Sequence, residues 1–193
     1  MPILGVVASS YLQSTGTMFA IASTTVGAGV SNITFTGIPN TYKHLEIRWS
    51  AQTNRGTYNL DDLLIQVGNG TIDTGANYSN HQMIGTGSNP VTANSNTNLT
   101  YGYAQGQLGT TVANTFGVGV TTILDYANTD KYKTARTIGL NDTNGQNSGF
   151  NGWLGLESFN WRSKSAINTI KFTMAQGTNF TTGTRISIYG IKG

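Results

Sequence analysis

This 193-residue chain predicts an all-β fold, an antiparallel β-sandwich of jelly-roll-like kind with long Gly/Asn/Thr-rich loops, on three observations. Apolar residues recur at every second position in one run after another, which is the period of a strand with one buried face. Gly, Asn, Asp or Pro bound each run, and these are the residues that turns demand. No window of helical length carries a 3.6-residue apolar stripe, so a helix would have no face to bury.

The first twelve residues, "MPILGVVASSYL", are apolar, with Gly5 as a flexible point. The run stops at Ala8 with no basic residue ahead of it. That is short for a secretory core and far short of the ~20 residues of a membrane span. We read residues 1–12 as an N-terminal arm or edge strand, and residues 13–193 as a single β-sandwich domain. Left in water such an arm invites aggregation, so Ile3, Leu4, Val6 and Val7 are expected to dock on a neighbouring subunit or a capsid shell. Burying four such side chains contributes roughly 6–12 kcal/mol, and fixing a dozen residues offsets most of it, so the arm is expected to order only in an assembly.

Alternation then runs along the chain. Ile33 and Phe35 alternate with Thr34 and Thr36, and "GIPNTY" marks a turn. In "TYKHLEIRWSAQ", Leu45, Ile47 and Trp49 alternate with His44, Glu46 and Arg48. Leu63, Ile65 and Val67 form the next run. Residues 85–100, "GTGSNPVTANSNTNLT", are nearly free of apolar side chains and are expected to be an exposed loop. Val118, Val120 and Leu124 share one face of a half-buried strand, "DYANTDKY" reads as a hairpin loop, and "NDTNGQNSG" as a longer one. Ile170, Phe172 and Met174, then Ile186 and Ile188, complete the pattern.

Composition narrows the function classes. Cysteine is absent, which removes disulfides, thiolate metal sites and thiol chemistry. Charged residues are 10% of the chain, against about 25% in an average domain. The net charge of +3 divides into three basic and six acidic side chains in residues 1–130, and eight basic and two acidic in residues 131–193. Lys131, Lys133 and Arg136 are the nearest approach to a basic cluster, so no nucleic-acid partner is expected, and no membrane. Low charge with few Lys and Glu suits close protein contacts.

Candidate chemistry is sparse. On a strand His44, Glu46 and Arg48 stand in one row, which is a solvated face, a subunit contact or a catalytic set. Catalysis needs a desolvated pocket and a nucleophile within reach, and a flat sheet face offers neither. His81, in "YSNHQM", reads as a loop histidine with a hydrogen-bonding role, and no Gly-x-Ser-x-Gly elbow occurs. Asp61 and Asp62 are adjacent and point to opposite sides of a strand, unlike the paired acids of a glycosidase. Asn141, Asp142, Asn144 and Gly145 lack the spacing and the terminal Glu of a calcium loop. No catalytic residue, metal or cofactor is therefore assigned. Tyr101, Tyr103, Trp153 and Trp161 either stack on a glycan or fill core and subunit contacts.

Three stretches, "FTGIPNTYKHLEIRW", "ILDYANTDKYKTART" and "SIYGIKG", resemble segments of small β-rich virion proteins of tailed bacteriophages. The resemblance implies a non-enzymatic structural protein on the particle surface, assembled in the host cytoplasm. Its expected role is capsid decoration, as a homotrimeric cement protein bound to the major capsid protein or other virion proteins. The alternative is a tail-fibre or tail-tip protein that recognises a host surface glycan.

Overall fold

The computed structural model describes residues 16–193 apart from 57, 59, 88, 110–111 and 144–151. The expected arm with Ile3, Leu4, Val6 and Val7 lies outside the described residues, as does most of the "NDTNGQNSG" loop.

Among the described residues there are thirteen strands and no helix: β1 (Met18–Thr25), β2 (Ile33–Phe35), β3 (His44–Thr53), β4 (Asp61–Asn69), β5 (Thr71–Ile72), β6 (Tyr78–Gly85), β7 (Thr92–Leu99), β8 (Gly102–Gly109), β9 (Gly117–Ile123), β10 (Lys133–Asp142), β11 (Gly152–Trp161), β12 (Thr169–Met174) and β13 (Arg185–Ile191). One antiparallel sheet runs in the order β1-β13-β3-β9-β10-β11-β6-β7. The second runs β2-β12-β4-β8, with β5 folded back beside β4. The two sheets join where β3 pairs in parallel with β8, through Gln52–Leu108 and Thr53–Gly109. The fold is an all-β sandwich.

Its core comes from the predicted alternation. Leu45, Ile47 and Trp49 of β3 and Ile186 and Ile188 of β13 are buried in one cluster with Leu63, Ile65 and Val67 of β4 and Ile170 and Phe172 of β12. Ile33 and Phe35 add the edge of the second sheet, where Phe35 meets Phe172 edge-on with ring centroids 6.1 Å apart. Branched and aromatic side chains suit this pleated, half-buried surface.

Three stretches depart from the sequence reading. The described residues of 85–100 are mostly exposed, as expected, but they carry β7, paired with β6 from Ile84–Thr92 to Tyr78–Leu99. Backbone pairing needs no apolar side chain, so a sheet-edge strand with both faces wet leaves no hydrophobic trace. His81 accordingly sits on a strand and not on a loop. The strand β1 escapes the pattern because its register shifts between Ala20 and Ala22, which breaks the alternation. Val118 and Val120 do share a face of β9, but it is the outer one.

The reason lies beneath that strand. Trp49, Gly119, Gly139 and Gly155 are paired in register across β3, β9, β10 and β11 on the inner face. A Cβ on Gly119 would lie 2.2 Å from Cζ2 of Trp49, so the indole lies against a glycine floor. The strand β8 packs under β9, β10 and β11, and a Cβ on its Gly102 would lie 2.4 Å from Cγ of Phe159. The neighbouring inner positions are polar and paired with each other. Thr121 and Thr137 share a 2.8 Å hydroxyl contact, and Asn80 Nδ2 donates to Glu157 Oε1 at 2.9 Å.

Candidate functional site

His44, Glu46 and Arg48 stand in one outward row on β3, as their spacing predicts. Arg48 Nε donates to Glu46 Oε1 at 2.8 Å, and its guanidinium lies 5.4 Å from the ring centre of Tyr189 on β13. His44 Nδ1 accepts the backbone N–H of Asp125 at 3.0 Å, so that nitrogen carries no proton in this arrangement. Asp125 sits at φ 46° in the turn from β9 to β10, and its carboxylate pairs with Lys43 at 3.0 Å and with Lys131. Hydrogen bonds from Lys131 and then Lys43 hold that carboxyl down to about 2. Together these groups clamp the β9–β10 hairpin onto β3. The "DYANTDKY" turn is formed where predicted, and Asn128 Oδ1 accepts the N–H groups of Asp130 and Lys131.

The acids do not converge. Asp61 is buried and accepts from Thr53 Oγ1 at 2.8 Å and from the backbone N–H groups of Asp62, Gln176 and Gly177 at 2.8–3.0 Å. That makes it an anchor for the chain after β12. Burial and then the charge of Asp61 push Asp62 up to about 6, with Arg55 opposing. Among the described residues no three His, Cys, Asp or Glu side chains gather as metal ligands, and no helix is long and apolar enough to cross a membrane.

The four aromatics named from sequence do not form one platform. Tyr101 and Tyr103 meet edge-on, with centroids 5.2 Å apart. Trp153 and Trp161 share the inner side of β11, as their parity predicts. Trp161 is buried in the core, with Nε1 donating to Asp73 Oδ2 at 2.7 Å, so it has no face to offer a glycan.

The feature that stands out is one no spacing motif announced. On the outer face of the large sheet, cross-strand pairing aligns two apolar rows. One runs Val120–Ile138–Leu156–Met83 across β9, β10, β11 and β6, and continues to Ala93 on β7. The other runs Val118–Leu140–Leu154 and ends at Gly85. These side chains are strongly exposed, Leu154 by 57% and Ile138 by 56%. Scattered apolar residues on a surface are ordinary, whereas a contiguous aliphatic patch marks a contact site. Polar residues flank the patch: Glu46, Thr122, Arg136, Ser158 and His81 form the next row. Where the patch approaches β7 it continues into a groove of about 830 Å³, lined by Met83, Ala93 and Leu156 together with His81, Arg136 and Ser158.

A sequence signal for this face exists. The strings "GVGV", "TIGL" and "WLGL" each set a glycine between two aliphatic residues. Gly fills poorly as a core position, so the aliphatics beside it compete for the inner side, and here glycine takes it. No protein family, no curated protein and no solved structure matches the chain.

Proposed function

We propose that the protein is a non-enzymatic structural protein on the surface of a bacteriophage particle, where it decorates the capsid. The apolar outer face carries this reading. A sheet face that presents Val118, Val120, Ile138, Leu140, Leu154, Leu156 and Met83 to solvent needs another surface to cover it. The clamped His44–Asp125 turn and the Glu46–Arg48 pair support structure, and the resemblance to small phage virion proteins supplies the setting. The N-terminal segment with Ile3, Leu4, Val6 and Val7 serves as a second attachment, to the shell or to a neighbouring subunit.

The test is stoichiometry in purified particles. A decoration protein is expected at a copy number comparable to that of the major capsid protein. A small fraction of that number would favour the receptor-binding tail protein, and absence from particles would end both readings. Deleting residues 2–9 is expected to leave the far-ultraviolet spectrum unchanged while abolishing incorporation. A truncated chain that does not fold would make the segment a core strand.

A further inference from the structure

We propose that two copies of this chain pack face to face through the apolar rows, about a two-fold axis that runs across the strands and passes over β10 between Ile138 and Leu140. The proposal deepens the assembly reading, and rests on it only for the premise that this face is covered. It commits to a second copy as the occupant because the patch is complementary to itself in one orientation.

The order of outward residues along β10 is Arg136, Ile138, Leu140, Asp142. A cation and an anion stand symmetrically on either side of two aliphatic residues. A two-fold axis across the strands turns β10 end for end, so Ile138 meets the partner's Leu140 and Arg136 meets the partner's Asp142. Symmetry forms the charge pair twice. A two-fold axis along the strands instead brings Arg136 against Arg136, where like charges repel. Arg136 makes no ion pair among the described residues, so its guanidinium is available for this contact.

The same rotation acts on the rest of the patch. Each row of one copy lies over the other row of the second copy, so Val120 meets Val118 and Leu156 meets Leu154. Met83, the long side chain at the end of one row, comes over Gly85 at the end of the other. Bulk thus faces space. Two sheets stacked in this way sit about 10 Å apart with their side chains interleaved, and their twist confines the contact to a few central strands. The contact is isologous and closes at two subunits. It replaces the three-fold expectation carried by the resemblance.

The experiment is sedimentation equilibrium on the full chain over a micromolar concentration series, with far-ultraviolet spectra to confirm folding. The wild-type chain is expected at twice the protomer mass of 20.5 kDa, and Ile138→Lys at the protomer mass. Arg136→Asp and Asp142→Arg are each expected to weaken association about ten-fold or more, and the double variant to restore most of it, because the swapped charges again face each other. Three outcomes overturn the proposal: a wild-type monomer throughout the series, an oligomer whose mass Ile138→Lys leaves unchanged, and a double charge swap that recovers nothing. None of them depends on particles. A dimer that never enters a virion would end the capsid reading and leave this contact standing.

Discussion

The ten-residue strands β3 and β10 belong to the same sheet with only β9 between them, and they turn opposite halves of their alternation to the core. On β3 the aliphatic and indole side chains go in and His44, Glu46 and Arg48 stay out. On β10 the inner positions are Lys133, Ala135, Thr137, Gly139 and Asn141, while Ile138 and Leu140 face water. What lies beneath each strand makes the difference. The core positions of β3 meet the branched residues of β4 and β12. Beside Ile138 and Leu140, the Trp49 indole lies against Gly119 of the adjoining β9, and β8 packs under β9, β10 and β11. Even the inner lysine follows this logic: Lys133 Nζ donates to the carbonyl oxygens of Lys131, Ser163 and Lys164 at 3.0–3.5 Å, and burial lowers its pKa. Alternation tells which residues share a face. The occupant of the interior decides which face is inside.

The sharpest way to break this comparison is to make one substitution in both settings. Ile47→Ala removes a fully buried side chain and is expected to cost about 2–5 kcal/mol in urea unfolding. Ile138→Ala, measured dilute enough to hold the chain monomeric, is expected to cost less than about 1 kcal/mol. Equal costs would show that β10 is packed like β3.

A smaller effect tests the glycine floor directly. Gly119→Ala places a methyl group against the Trp49 ring and is expected to cost about 2–3 kcal/mol, with a shift in tryptophan emission. Wild-type stability with unmoved emission would mean that the indole does not rest there.

Next comes Asp62 on β4, on the conventionally packed side. Its folded pKa is raised to about 6, so folding favours the protonated carboxyl. Its stabilising contribution is fully present below about pH 4 and is lost as the pH rises through 6. Asp62→Asn is therefore expected to raise stability at pH 8 by about 1–3 kcal/mol and to change little at pH 4. A variant equally stable or less stable at both values would remove the buried carboxylate from the account.

The least effect is expected from Glu46→Gln in the outward row of β3, within about 1 kcal/mol of the wild-type chain because the Glu46–Arg48 pair is solvent-exposed. Loss of a polysaccharide-cleaving activity in this variant would overturn the structural reading of the row.

Much of the architecture is legible in the sequence. Runs such as Leu63–Ile65–Val67 and Ile170–Phe172 became core strands because period-two burial is written in the residues themselves. The His44 row emerged as spaced, because parity is independent of tertiary context. Other features were hidden for physical reasons. The strand β7 is held by backbone pairing, which is blind to side-chain type. The apolar patch is assembled from β9, β10, β11 and β6, and pairs Ile138 with residues 18 positions away on either side, as a product of register that no local window contains. The close approach of Gly119 to the Trp49 indole likewise joins residues 70 positions apart in the chain.

The position of β13 has a consequence for synthesis. It lies between β1 and β3, so the first described strand has no partner until the last has been made. The contact between Ser23 and Ser187 spans 164 residues. At the usual ~5–20 residues per second, roughly ten to thirty seconds pass on the ribosome while β1 and one edge of β3 wait unpaired. For most of that interval Leu45, Ile47 and Trp49 are in the emerging chain without Ile186 and Ile188 beside them. The nascent protein therefore spends its synthesis with an open sheet edge, and a chaperone that binds extended apolar strands is expected to hold it until β13 inserts.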